Sequence, residues 1–145
     1  MQYLLAILIG IIGGAAIGFQ VPLSNITGQR LGPLSSVFLV HFSGAILSVI
    51  ILAISGGENI SEWRSIALYP IIAGALGIVI ISSFIFTIPR IGTTGALGLA
   101  IAVQLIIGMV VDHFGLFEVT LRPMNLPRLG GVLLLLAGAW IILRN

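Results

Sequence analysis

The stretch TTGALGLAIAVQLIIGMVVDHF, residues 93–114, decides which kind of fold this chain can adopt. It has no charged side chain before Asp112. At about 1.5 Å per helical residue it is long enough to cross a hydrocarbon core of about 30 Å. Because backbone N–H and C=O groups in lipid must be satisfied within their own segment, this run predicts a transmembrane α-helix.

Four further apolar runs lie on either side of this stretch. Only 7% of the residues are charged, against about 25% in soluble domains. These charges are six Arg and four Asp or Glu side chains, placed near the ends of the runs. The sequence therefore predicts an all-α membrane protein, a single domain over residues 1–145 with five transmembrane helices. The predicted spans are about 3–23, 33–55, 66–88, 93–114 and 129–143.

Proline and glycine residues mark the predicted helix ends. Pro22, Asn25 and Gly28 are expected to break the first helix, and Pro89 to end the third, because these residue types interrupt or terminate helices. Pro33 suits the first turn of the second helix, where its missing N–H has no intrahelical partner to lose.

Several classes of function are excluded or disfavoured by what the chain lacks. It contains no cysteine, which excludes disulfides and thiol nucleophiles. It has no paired carboxylates, no metal-ligand spacing of His and acidic residues and no phosphate-binding loop. Its Arg residues are scattered singly and do not form a basic patch. We therefore predict no enzymatic activity, no metal, no cofactor and no nucleic-acid partner.

The arginine residues are shared equally between the two predicted membrane faces. An excess of Lys and Arg normally fixes the cytoplasmic side of short loops, and here no excess exists. The chain is thus expected to insert in both orientations and to pair with a second copy of itself in the opposite orientation, as an antiparallel, dual-topology homodimer. The alternative is an orientation set by a partner or by unusual insertion. Three residues lie on each face: Arg64, Arg122 and Arg128 on one, and Arg30, Arg90 and Arg144 on the other.

Four polar residues inside the predicted spans are candidates for substrate binding: Gln104, His41, Gln20 and Ser43. Polar groups within the membrane are costly and often mark pathways or binding sites. The amide of Gln104 would suit a neutral polar or weakly charged ligand. His41 could couple transport to protons, because histidine changes charge in the physiological pH range. Each could instead serve only as an interhelical hydrogen-bonding group.

Asp112 and His113 close the fourth predicted helix. An acidic side chain at a helix C-terminus opposes the helix dipole, so Asp112 is expected to form a structural ion pair, with His113 or an Arg on the same membrane face. A role of these two residues in coupling remains the alternative. No carboxylate occupies the middle of a span, so cation or proton exchange on a central acid is not predicted.

Small residues form a stripe on the first predicted helix. Gly10, Gly14 and Gly18 recur at a spacing of four residues, a pattern that lets two membrane helices approach closely. These glycines are predicted to serve helix packing within the chain or the dimer interface.

Several landmarks occur together in the order seen in one known family. The most specific is the stretch from Gln104 to Gly115 with its Asp-His-Phe-Gly ending, and others are Gln20 with Asn25, the steps 42–44, 70–77 and 128–131, and Gly138. On these residues the chain resembles, over essentially its whole length, the YdcZ-like five-helix family of the drug/metabolite transporter superfamily. The resemblance implies a prokaryotic, multi-pass inner-membrane protein. It also implies oppositely oriented pairs or fused ten-helix chains, and it defines no substrate.

The function predicted from these features is small-molecule transport by alternating access, carried out by an inverted homodimer in the lipid of the cell inner membrane. The substrate is an unknown small molecule. A dual-topology ion channel and a structural membrane subunit without flux are the alternatives.

Overall fold

The computed structural model describes residues 2–57, 59–66 and 72–144, and within these ranges the chain is all-α, as predicted. Short 3-10 helices cover Ile60–Ser65, Ile72–Ala75 and Leu116–Glu118. The chain divides into two compact units, Met1–Phe86 and Thr87–Asn145. The α-helices are α1 (Gln2–Leu31), α2 (Pro33–Ser55), α3 (Leu76–Phe114) and α4 (Leu126–Arg144).

Four helical segments of the described residues are long and apolar enough to cross a membrane. The longest, Ile72–Phe114, has 43 residues and would extend about 65 Å if straight, twice the hydrocarbon thickness. It is interrupted at Gly92, where φ is 73° and ψ is 165°. The described part of the chain therefore contains four membrane-length helices, or five segments when the longest is divided at Gly92.

The predicted break of the first helix after Leu23 is wrong, because α1 continues through Pro22, Asn25 and Gly28 to Leu31. The buried residues of α1 are Val21, Ser24 and Gly28, so this polar end is the part that packs. Ser24 Oγ donates to the Gln20 carbonyl at 2.6 Å, and Ser36 Oγ of α2 donates to the Ser24 carbonyl at 2.8 Å. Hydroxyl donors and a neighbouring helix make proline and glycine tolerable within membrane helices.

The predicted end of the third helix at Pro89 is also wrong, because α3 continues through Pro89 and is interrupted at Gly92. Proline removes the donor to the carbonyl four residues earlier, which is that of Ile85. Gln29 Nε2 reaches this carbonyl at 2.9 Å and replaces the missing bond. Residues 67–71, with which this span was predicted to begin, lie outside the described residues.

In the unit Met1–Phe86, α1 turns directly into α2 through Gly32, whose φ of 91° favours glycine. Pro33 occupies the first helical position of α2. Val37 of α2 forms a small apolar core with Ile81 and Ile85 of α3. Ser36 beside it is fully buried, so a polar side chain with a satisfied hydrogen bond occupies the best-packed point of this unit.

In the unit Thr87–Asn145, the C-terminal part of α3 and α4 form an antiparallel helical hairpin. A Cβ atom added at Gly95 would lie 3.1 Å from Leu143, and one added at Gly98 would lie 3.8 Å from Ala139. Small residues therefore bring the two helices close, as expected where lipid offers no hydrophobic driving force between helices.

Candidate functional site

A groove of about 540 Å³ lies between α1 and α2, and we call it the α1–α2 groove. Two predicted site residues, Gln20 and Ser43, line it together. Ser43 Oγ donates to the Val40 carbonyl at 3.0 Å. The side-chain amide of Gln20 makes no hydrogen bond with the described residues. The remaining lining residues are Ala16, Phe19, Leu23, Ser24, Thr27, Val40, Gly44 and Leu47.

His41 does not line the α1–α2 groove. Its Nδ1 lies 2.8 Å from the Val37 carbonyl oxygen. Because a carbonyl only accepts, Nδ1 is the nitrogen that carries the proton in this bond. The other edge of the ring, with Nε2, lies directly against Gly77 of α3, where a Cβ atom would overlap it. His41 thus fills the space that Gly77 leaves on the neighbouring helix.

A second groove, of about 390 Å³, lies between α3 and α4, and we call it the α3–α4 groove. Gln104, Gly108 and Asp112 line one wall at a spacing of four residues, which places them on one helix face. Gln104 makes no side-chain hydrogen bond with the described residues. The other lining residues are Leu105 and Met109 of α3 and Arg128, Gly131, Val132 and Leu135 of α4.

The ion pair predicted for Asp112 has Arg128 as its partner. Nη2 of Arg128 donates to Oδ2 of Asp112 at 3.2 Å, and both side chains are about one-third exposed (35% and 36%). Nη1 of Arg128 also donates to the Arg122 carbonyl at 3.1 Å, and the Arg122 N–H donates to the Asp112 carbonyl at 2.8 Å. These contacts join the end of α3, the loop and the start of α4 at one mouth of the α3–α4 groove.

His113 contacts the same loop without joining the ion pair. The backbone N–H of Met124 donates to His113 Nδ1 at 3.0 Å, so Nδ1 is unprotonated and a neutral ring carries its proton on Nε2. The ring packs edge-on against Phe114, with centroids 4.8 Å apart. In this structure His113 holds the loop through Met124, and the carboxylate of Asp112 is paired with Arg128.

The glycine stripe of α1 makes no close packing contact with the described residues of its unit. A Cβ atom added at Gly10, Gly14 or Gly18 would meet nothing within 4 Å in the unit Met1–Phe86. Of the two predicted uses of these glycines, the dimer interface stays a prediction.

The structure brings together Gln20 with Ser43 in one unit, and Gln104 with Asp112 in the other. Sequence reasoning predicted His113 or an Arg of the same membrane face as the partner of Asp112 without choosing Arg128, and it did not single out Gln29. The signal for Gln29 was indirect, because Pro89 implies an unsatisfied carbonyl at Ile85. No sequence feature identifies which distant side chain would supply the donor.

Among the described residues no group of three His, Asp or Glu side chains is placed to hold a metal ion. The lining of both grooves consists of amide, hydroxyl and apolar groups, with one ion pair at a mouth. Such surfaces can bind a ligand by hydrogen bonds and apolar contact.

The membrane-length helices among the described residues define the class of this chain as a helical membrane protein. Residues 5–141 match the family model described as "Putative inner membrane exporter, YdcZ", and the chain belongs to this family. The predicted family and inner-membrane location are therefore confirmed. Comparisons with curated proteins and with solved structures gave no match.

Proposed function

We propose that this protein is a carrier that moves a small polar molecule across the inner membrane by alternating access, as an antiparallel homodimer. One observation carries the proposal. Gln20 and Gln104 lie within predicted spans, each lines a groove, and neither side-chain amide has a hydrogen-bond partner among the described residues.

An amide without a partner is costly in a membrane. Transfer of such a group from water to an apolar medium without a compensating hydrogen bond costs about 2–7 kcal/mol. Water, substrate or a second copy of the chain must therefore supply partners. A groove that alternately admits water and substrate meets this requirement, whereas a surface facing lipid does not.

The inverted homodimer follows from the balance of arginines on the two predicted faces. Many secondary transporters contain inverted repeats whose exchange of conformation opens the site to alternate sides. Two oppositely oriented copies would supply the same symmetry. Gln20, Ser43, Gln104 and His41 of both copies would then contribute to the transport pathway.

The test is flux into liposomes that contain the purified protein, measured with a panel of metabolites and ions. A carrier is expected to give saturable uptake of one class of solute and exchange against the same solute inside. Passive, non-saturating ion conduction would contradict the proposal and support a channel. A folded dimer without flux of any solute would support a structural subunit.

A further inference from the structure

Pro89 and Gln29 form a complementary pair, although they are far apart in the sequence. Pro89 has no N–H, so it cannot donate to the Ile85 carbonyl as other residues of a helix would. Gln29 Nε2 donates to that carbonyl at 2.9 Å. The same amide nitrogen lies 3.2 Å from Asn25 Oδ1, one turn earlier in α1. A side chain of α1 thus completes the hydrogen bonding of α3.

The packing around this bond makes Gln29 the donor on which the carbonyl depends. Ile85 is only 4% exposed, so water has little access to its backbone. Gly28 lies against the Ile85 side chain so closely that a Cβ atom would overlap it. This close approach of α1 places the adjacent Gln29 within reach. A buried carbonyl without a donor is destabilising, so loss of the Gln29 bond weakens α3 at this point.

A second weak point of α3 follows three residues after Pro89. Gly92 has φ 73° and ψ 165°, a conformation open almost only to glycine. The helix therefore loses regular hydrogen bonding at two neighbouring places, at Pro89 and at Gly92. Proline and interrupted hydrogen bonding are the usual causes of sharp helix kinks. The first of the two weak points is closed by a side chain from another helix, that of Gln29.

We infer that residues 85–92 form a joint, a segment at which α3 can bend. Gln29 is a positioning residue that limits this bending and so keeps the joint closed. Breaking the bond between Gln29 and the Ile85 carbonyl opens the joint and lets α3 change its bend. This inference rests on the proposed carrier function, since alternating access requires an element with two arrangements.

The test is a double-mutant cycle of Gln29→Leu and Pro89→Ala, with α3 labelled on both sides of the joint. The native chain has no cysteine, so Val79→Cys and Ile107→Cys, at positions 66% and 58% exposed, give two defined spin-label sites. Labelled protein is mixed with excess unlabelled protein, so that distances within one chain dominate. Distances are measured by pulsed electron paramagnetic resonance.

Gln29→Leu alone is expected to broaden the distance distribution and to lower the unfolding midpoint by about 4 °C. In the presence of Pro89→Ala the same change is expected to have little effect, because an amide at position 89 again donates to Ile85. Thr27→Val is the matched control, since the bond of the Thr27 hydroxyl lies within its own helix, to the Leu23 carbonyl at 3.2 Å. It should leave the distribution unchanged.

Equal broadening by Gln29→Leu with and without Pro89→Ala would overturn the inference, as would no broadening at all. If Gln29→Leu does not fold, the single variant Pro89→Ala tests the inference. It adds a backbone hydrogen bond to the Ile85 carbonyl and should narrow the distribution of distances between the two spin labels. The distances require no substrate. A protein without flux but with the expected cycle therefore contradicts the proposed function and supports the joint, whereas unchanged distances overturn the joint even where flux is found.

Discussion

Asp112 and Arg128 each stand at the helix end that disfavours their own charge. Asp112 lies in the last turn of α3, and Arg128 lies in the first turn of α4. A helix dipole favours cations at its C-terminus and anions at its N-terminus, so neither charge is favourable alone. Their pairing at 3.2 Å offsets both unfavourable terms and holds the hairpin closed.

Replacing Arg128 should therefore destabilise the hairpin more than replacing a neighbouring arginine. Arg128→Met removes the bonds to Asp112 and to the Arg122 carbonyl, and we expect a loss of about 1–2 kcal/mol in the free energy of unfolding. Arg122→Met is the matched control, because Arg122 takes part through its backbone. The measurement is denaturant unfolding in detergent micelles. Equal losses for both variants would contradict the role of Arg128.

Gln104 is the residue on which we expect substrate affinity to depend most. Gln104→Leu keeps the approximate volume of the side chain and removes all its hydrogen-bonding groups, so substrate affinity should fall about tenfold. The measurement is saturable flux in liposomes with protein shown to be dimeric. Ser48→Ala is the control, since the Ser48 hydroxyl donates to the Gly44 carbonyl of its own helix at 2.6 Å. Unchanged flux with Gln104→Leu would refute the site assignment.

At the scale of helices, two glycines of α1 have different surroundings. Substituting each of them therefore tests packing within the chain and packing between chains separately. A Cβ atom at Gly28 would overlap Ile85, whereas one at Gly14 would meet nothing within 4 Å. Gly28→Ala should thus cost about 1–3 kcal/mol of stability by overpacking. Gly14→Ala should leave the stability of the monomer unchanged or slightly raised.

If the stripe of Gly10, Gly14 and Gly18 forms the dimer interface, Gly14→Ala should instead weaken dimerisation. The measurement is the monomer–dimer equilibrium in lipid for the two variants beside the native protein. A Gly14→Ala protein that dimerises as tightly as the native one would move the interface to another helix face.

Gly92 sets where the long helix α3 is interrupted. Its φ of 73° and ψ of 165° are costly for any residue with a Cβ atom, so Gly92→Ala should lower the free energy of unfolding by about 1–3 kcal/mol. Gly130→Ala is the control, because that helical glycine has open space around it. Thermal unfolding of the two variants in detergent gives the comparison. A Gly92→Ala protein as stable as the native one would show that the interruption can move along α3.

At the scale of the whole molecule, orientation is predicted to depend on a balance of three arginines on each face. Reporters fused to the C-terminus, active on one side of the membrane or the other, should both give signal. Changing Arg30 and Arg144 to Ala leaves the excess on the opposite face, so this variant should insert in one orientation. A native protein found in only one orientation would contradict the antiparallel homodimer.

How much of the fold was predictable depended on the range of the interaction concerned. The bounds of α2 at Pro33 and Ser55 and the break before Thr93 follow from residues next to them. The end of α1 and the continuation of α3 through Pro89 could not be predicted from the residues next to them. Gln29, distant in sequence from the Ile85 carbonyl, supplies the donor that Pro89 lacks, and Ser36 of α2 binds the Ser24 carbonyl in the last part of α1. For the candidate site, the polar residues within apolar runs could be identified from the sequence. Their distribution between two separate grooves could not.

Hydropathy along the chain was enough to predict a helical membrane protein, because apolar length and the scarcity of charge leave helices as the solution in lipid. The resemblance to one family depended on specific landmarks, above all the stretch from Gln104 to Gly115. Which polar groups bind one another became known from the packing of the helices. It pairs Asp112 with Arg128, gives the Ile85 carbonyl to Gln29 and leaves the amides of Gln20 and Gln104 facing grooves. The physical reason is that hydropathy is a property of each residue, whereas a hydrogen bond requires two groups brought within about 3 Å by packing.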